Sequence, residues 1–345
     1  MKKFTKIFII IGVVALVAAI ALFVGGMSAA GWDFSKLNTV QYRQCEYAPE
    51  TGSEVTGVTV RYQNADITVV YSQEAENAHV SYPVRVDKDS EPLFEVTVSY
   101  TNGVLSIIES DEGPSDIFSF NLSTPEVTVT LPADTACTLD IETDNGNISL
   151  RSPAQIASPS VRLASDNGNI LAKPEGGALV GGEVSIATAN GRIELNSVSA
   201  EDGVVLESDN GDIAAQDVRA AALSVKTDNG DIRIENAAVS GELKAESDVG
   251  DITLRGSVQA KSCTLVNDTG DITVAKGAVL DAETIEMRTD VGDIRVRGAL
   301  AGAQADYTLF ITTDVGSSNV PSGGDGARRL TAVTDSGDVT LRFEN

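Results

Sequence analysis

The chain has 345 residues, 42% of them hydrophobic, which is enough for a real core and argues against wholesale disorder. Only 5% are aromatic, while Gly, Ala, Val, Ile, Thr and Ser abound, a mixture that favours strands and tight turns over helix bundles. Net charge is -25, and the first 32 residues carry +3 through Lys2, Lys3 and Lys6. The remainder therefore holds -28, which argues against nucleic acid and anionic lipid as partners and leaves a cationic partner or a bound metal open.

The three cysteines, Cys45, Cys137 and Cys263, form neither a CxxC pair nor a disulfide framework. A single histidine, His79, would have to carry any His-dependent zinc site or catalytic triad, and it reads as a surface residue.

Residues 1–32 open with the three lysines and then run uncharged from Ile7 to Gly31. The strongly apolar part, Ile7 to Val24, would span roughly 27 Å as a helix. It is longer than the core of an ordinary secretory signal, which favours an uncleaved transmembrane anchor. The competing reading is a signal peptide cleaved after Ser28-Ala29-Ala30. In both readings the lysines stay in the cytoplasm and the C-terminal bulk is exported.

Residues 33–138 read as irregular β structure. GVTVRY and ADITVVYS alternate as strands, and Gln63-Asn64-Ala65-Asp66-Ile67 resembles a repeat unit with alanine in place of glycine. Tyr100-Thr101-Asn102-Gly103-Val104-Leu105 is a second, weaker echo. Glu109 to Ser119 reads as an exposed acidic loop, and Val127 to Pro132 as a strand leading into regular repeats. The region is expected to supply degenerate rungs and a cap at the membrane-proximal end of a rod.

Residues 139–345 repeat one phrase, such as TDNGDIRI at Thr227. Its ten glycines are Gly146, Gly168, Gly191, Gly211, Gly230, Gly250, Gly270, Gly292, Gly316 and Gly337, spaced 19 to 24 residues apart. A period near twenty residues signals a solenoid. The columns seven and five residues before the glycine, and two and four after it, hold 40 residues, of which 39 are apolar; the exception is Ser318. Alternation on both sides of the glycine means strand, corner, strand, with one face inward. The expected fold is therefore all-β: a right-handed parallel β-solenoid, 20–22 residues per rung, following one N-terminal transmembrane helix. Ten rungs stacked in sequence order would make a rod roughly 45–50 Å long.

Three residues before each glycine stands Thr, Ser or, once, Asn267; these are expected to face inward and hydrogen-bond the bending backbone. The glycine is expected to supply a positive φ, which the preceding Asn would also tolerate. Cys263 falls in an inward apolar column and reads as core.

Aspartate stands two before the glycine in nine rungs and directly after it in six. One reading is turn chemistry, with the first aspartate capping its own corner. The other is a row of calcium sites shared between rungs, with candidates Asp209, Asp212, Asp228, Asp231, Asp248, Asp251, Asp268, Asp271, Asp290 and Asp293. The residues that carry the GGxGxD calcium repeat elsewhere are absent, so turn chemistry is the expectation and no other cofactor is implied.

The stretch VTVTLPADTACTLDIETDNGNISL (Val127 to Leu150), the GDI series and the closing LTAVTDSGDVTLRF (Leu330 to Phe343) resemble bacterial adhesin-type domains of unknown function. The resemblance implies a membrane-anchored β-solenoid ectodomain without catalytic residues. Its expected partner is a cell-envelope or extracellular glycan or protein, with self-association also open. An envelope-stress sensor acting through a membrane partner is the alternative. A carbohydrate-active β-helix enzyme or a filament protein fits less well, since Lys and Arg are scattered and Arg328-Arg329 is the densest basic spot in the solenoid.

Overall fold

The computed structural model describes residues 16, 20–26, 28, 31–32, 41–87, 90–110, 124–174 and 177–344. Most of the expected membrane anchor, Ile7 to Val24, lies outside them. Among the described residues no helix is long and apolar enough to cross a membrane.

The chain is all-β, a parallel solenoid of about nine turns bounded by the ten glycine corners. The inward columns stack in register. Leu139 pairs with Val161, Val161 with Val184, Val184 with Val204, and so on through Leu223, Leu243, Cys263 and Ile285. A period-2 strand puts all its apolar side chains on one face, and the neighbouring coils seal that face from water. Every inward position is buried except Ile311, Ser318 and Val320, all in the rung of Gly316.

That exception explains a departure from sequence order. The strand Val279–Val291 pairs with Arg328–Ser336, and only then does Tyr307–Val315 follow on its far side. The Gly337 rung thus stacks on the Gly292 rung, and the Gly316 rung ends the rod. Ser318, the one polar residue among the four apolar columns, sits at this end and is exposed. At the rod's end its hydroxyl keeps access to water and also donates to the Val320 carbonyl at 2.7 Å.

Four adjacent coils bend a second time between their inward residues. Ala215 and Val218 are both buried although three residues apart, because Asp217 adopts a left-handed conformation (φ 54°) and absorbs one residue of the alternation. Ser197, Asn236 and Gly256 occupy the same place in adjacent rungs with φ of 57°, 54° and 61°.

At the other end, Gly57–Tyr62 and Asp66–Ser72 stack on the strands around Gly146, with Ala65 in the corner. Tyr100 to Leu105 is not a corner. Asn102 (φ 51°) and Gly103 (φ 83°) form the two-residue turn of an antiparallel hairpin between Val96–Thr101 and Val104–Glu109. The strand Glu126–Pro132 runs parallel beside Asp66–Ser72, and His79–Val86 crosses antiparallel to it and to Gln41–Tyr47. Glu109, expected in an exposed loop, is buried, and its carboxylate accepts the Gln63 N–H at 3.0 Å. Residues 111–119 of that loop lie outside the described residues.

Candidate functional site

The repeated corner builds three ladders along the rod. The innermost is made of hydroxyls. Thr227 donates to the Gly211 carbonyl at 3.0 Å, Ser247 to Gly230 at 3.0 Å and Thr289 to Gly270 at 3.0 Å. Asn267 does the same with its amide, to Gly250 at 2.9 Å, and Thr334 and Thr313 carry the ladder through the reordered end. Each inward polar group thus caps the corner of the neighbouring rung, satisfying a carbonyl that bending frees.

Six of the ten corner glycines, Gly211, Gly230, Gly250, Gly270, Gly292 and Gly316, take the expected positive φ, between 141° and 159°, and all ten serve a close approach. A Cβ at any of the ten would lie 1.9–2.2 Å from the carbonyl oxygen of the corner below it. The preceding asparagines do not adopt positive φ. They form a second ladder instead: Asn229 Nδ2 donates to Asn210 Oδ1 and Asn210 Nδ2 to Asn190 Oδ1, each at 3.1 Å, continuing through Asn167 and Asn145 to Asn64.

The third ladder settles which aspartate supports the turn. The carboxylate after the glycine accepts the backbone N–H of its counterpart one rung on. Asp212 takes the Asp231 N–H at 3.0 Å, Asp231 that of Asp251 at 2.9 Å, and Asp251 that of Asp271 at 2.8 Å; Asp271 and Asp293 continue it. At the end Asp338 accepts both the N–H and the hydroxyl of Ser317, which hold its carboxyl below the usual range. Five of the aspartates before the glycine, expected to cap their own corners, do not. Asp209, Asp248, Asp268 and Asp290 are exposed and accept no hydrogen bond among the described residues, and Asp228 lies 3.7 Å from the Lys226 ammonium.

The calcium candidates therefore divide into two columns. One has an oxygen of each carboxylate engaged in the stack, and there Arg295 bridges Asp271 and Asp293. The other is an exposed row. Among the described residues no three His, Cys, Asp or Glu side chains are gathered as a metal-holding group. Cys263 is buried in the core, which pushes its thiol up to about 12. His79 is half-buried, 3.8 Å from the Glu46 carboxylate.

The feature that repeat reading missed is the concave angle at the left-handed bend. It forms an open groove of about 480 Å³ running along the rod from Gly177 to Gln259. Gln259 also lines a second hollow of about 440 Å³ with Lys261, Asp281, Glu283 and Arg328. Asp217 accepts hydrogen bonds from Gln216 at 3.2 Å and Asn236 at 2.9 Å, fixing the bend. The Arg219 guanidinium and the Gln259 amide face the groove with no partner among the described residues. A signal was present in the sequence: Ser197, Asp217, Asn236 and Gly256 all stand six residues after a corner glycine, and Asn, Asp and Gly are the residues most tolerant of a left-handed bend.

The family model described as Toastrack DUF4097 matches residues 54–263. Among solved structures, a candidate adhesin from Bacteroides fragilis is 13% identical over 75% of this chain and 96% of its own, with a TM-score of 0.35. A candidate lipid-binding protein from Parabacteroides distasonis is 14% identical over 76% and 96%, with a TM-score of 0.34. A candidate cell adhesion protein from Clostridium sporogenes is 8% identical over 88% and 100%, at 0.25. No curated protein matches the chain.

Proposed function

Because the chain belongs to the Toastrack DUF4097 family, and its repeat residues are engaged in holding the stack, we propose that it is a non-catalytic display rod at the cell surface. The observation that carries this reading is the ladder of inward hydroxyls, with the Asn267 amide in one place, running through the corners, which stiffens the coil and leaves the outward faces to meet a partner. The rod is a right-handed coil, the hand that parallel connections overwhelmingly take. The apolar run Ile7 to Val24 behind Lys2, Lys3 and Lys6 anchors it as a single-pass protein, N-terminus in the cytoplasm and ectodomain outside. Its function is adhesin-like: binding an envelope or extracellular component through the outward surface of the rod.

Two measurements on one strain test this. Protease added to intact cells should remove a C-terminal tag while a cytoplasmic control survives, and the purified full-length protein should sediment with cell-envelope material. A protected tag, or no sedimentation with any envelope fraction, would overturn the proposal.

A further inference from the structure

The groove at the left-handed bend differs from the rest of the surface in charge, chemistry and direction. We infer that it binds a neutral linear glycan laid parallel to the rod axis. This rests on the surface-binding function proposed above and assigns its ligand class and place.

Direction comes from register. Ser199, Arg219, Ala238, Gln259 and Asp281 occupy one outward column in successive rungs. Together with the rung of Gly177, the two hollows that share Gln259 extend over six rungs, roughly 24 Å at about 4.8 Å per rung. A slot that is long, shallow and open suits an extended polymer better than a compact small molecule. The rung repeat is close to the length of one sugar unit in an extended chain, so successive units would meet successive rungs.

Chemistry separates a glycan from an extended peptide. Peptides add to sheets through unpaired backbone at an edge, but the strands beneath the groove have a parallel neighbour on each side. Recognition must therefore come from side chains. Arg219 and Gln259 offer hydrogen-bonding groups without partners, and Ala238 between them keeps the floor low. Charge separates neutral from ionic polymers. Asp217, Asp281 and Glu283 are balanced by Arg219, Lys261 and Arg328, on a protein whose net charge is -25. The field of the whole rod repels polyanions, while the exposed aspartate row rather than this groove would collect polycations.

The test uses full-length protein in detergent micelles and two defined series, cello-oligosaccharides and N-acetylglucosamine oligomers of two to six units, measured by calorimetry. A sulfated chain of equal length serves as the ionic control. For at least one neutral series, affinity should rise with each added unit, and the sulfated chain should bind at least tenfold more weakly. Arg219→Ala, and Ala238→Trp, which fills the exposed floor without touching the core, should each weaken binding tenfold or more at an unchanged melting temperature. Asp248→Asn, on the corner row, should leave it unchanged. Equal binding by Ala238→Trp and the parent would overturn the inference, as would affinity independent of chain length. Failure of both series while the protein still sediments with envelope material would remove the groove assignment and leave the surface-binding function standing. Failure of both assays would remove both.

Discussion

Asp228 and Asp231 flank the same corner, yet only the second should carry a backbone hydrogen bond. Asp231 accepts the Asp251 N–H at 2.9 Å, whereas Asp228 reaches only the Lys226 ammonium at 3.7 Å. Changing either to Asn or to Ala removes the same charge, so the difference between the Asn and Ala variants isolates the hydrogen bond. Column neighbours one rung apart repel by about 0.9 kcal/mol each in bulk water, and less with salt. Asp231→Asn should relieve that repulsion and keep the acceptor, as Asn147 already does for the Asn169 N–H at 2.9 Å. It should stabilise by about 0.5–1.5 kcal/mol at low salt, an effect that fades as salt rises. Asp231→Ala should fall below Asp231→Asn by about 0.5–1.5 kcal/mol at every salt concentration. At position 228 the same difference should be near zero. Urea unfolding of full-length protein in detergent reads the stabilities, and amide exchange at Asp251 reads the bond directly. Equal Asn-to-Ala differences at the two positions, or unchanged exchange at Asp251 in Asp231→Ala, would refute the assignment.

Gly230→Ala should be far more damaging, because the new Cβ would stand 2.2 Å from the Gly211 carbonyl oxygen. Parting these two rungs breaks the Gly211 N–H bond to the Asn229 carbonyl, the Ile213 N–H bond to the Asp231 carbonyl and the Thr227 hydroxyl bond to Gly211, a loss of about 3–5 kcal/mol in urea unfolding. Alkylation at pH 8 should label Cys45, which is half-buried, before Cys263, whose thiol burial pushes up to about 12, and Cys137, which burial also raises; mass spectrometry of native protein checks this. Burial raises the Asp140 carboxyl, but hydrogen bonds from Arg61 and Arg162 outweigh it and hold it low. Its contribution to stability is thus complete above the unfolded carboxylate value and is lost as pH falls through the lower folded one. Carboxyl NMR should show Asp140 titrating below the ordinary range and returning toward it in Arg61→Gln.

Sequence alone determined the period, the inward columns, the buried Cys263 and the inward hydroxyls, because each depends on side-chain parity, which a strand transmits without reference to its neighbours. It also marked Ala65 as a corner, since the residues around it keep the motif. What it left open was decided between rungs. Identical corners can stack in more than one order, and only packing placed Gly337 against Gly292, sending Ser318 to the rod's end. Asp228 and Asp231 look alike along the chain; the neighbouring coil chose which one receives an N–H. The bend at Asp217 was legible only as a skipped beat in the alternation. Its consequence, a charge-balanced groove on an acidic rod, exists only once six coils are superposed. Parity is a property of one strand, but register and concavity are properties of the stack.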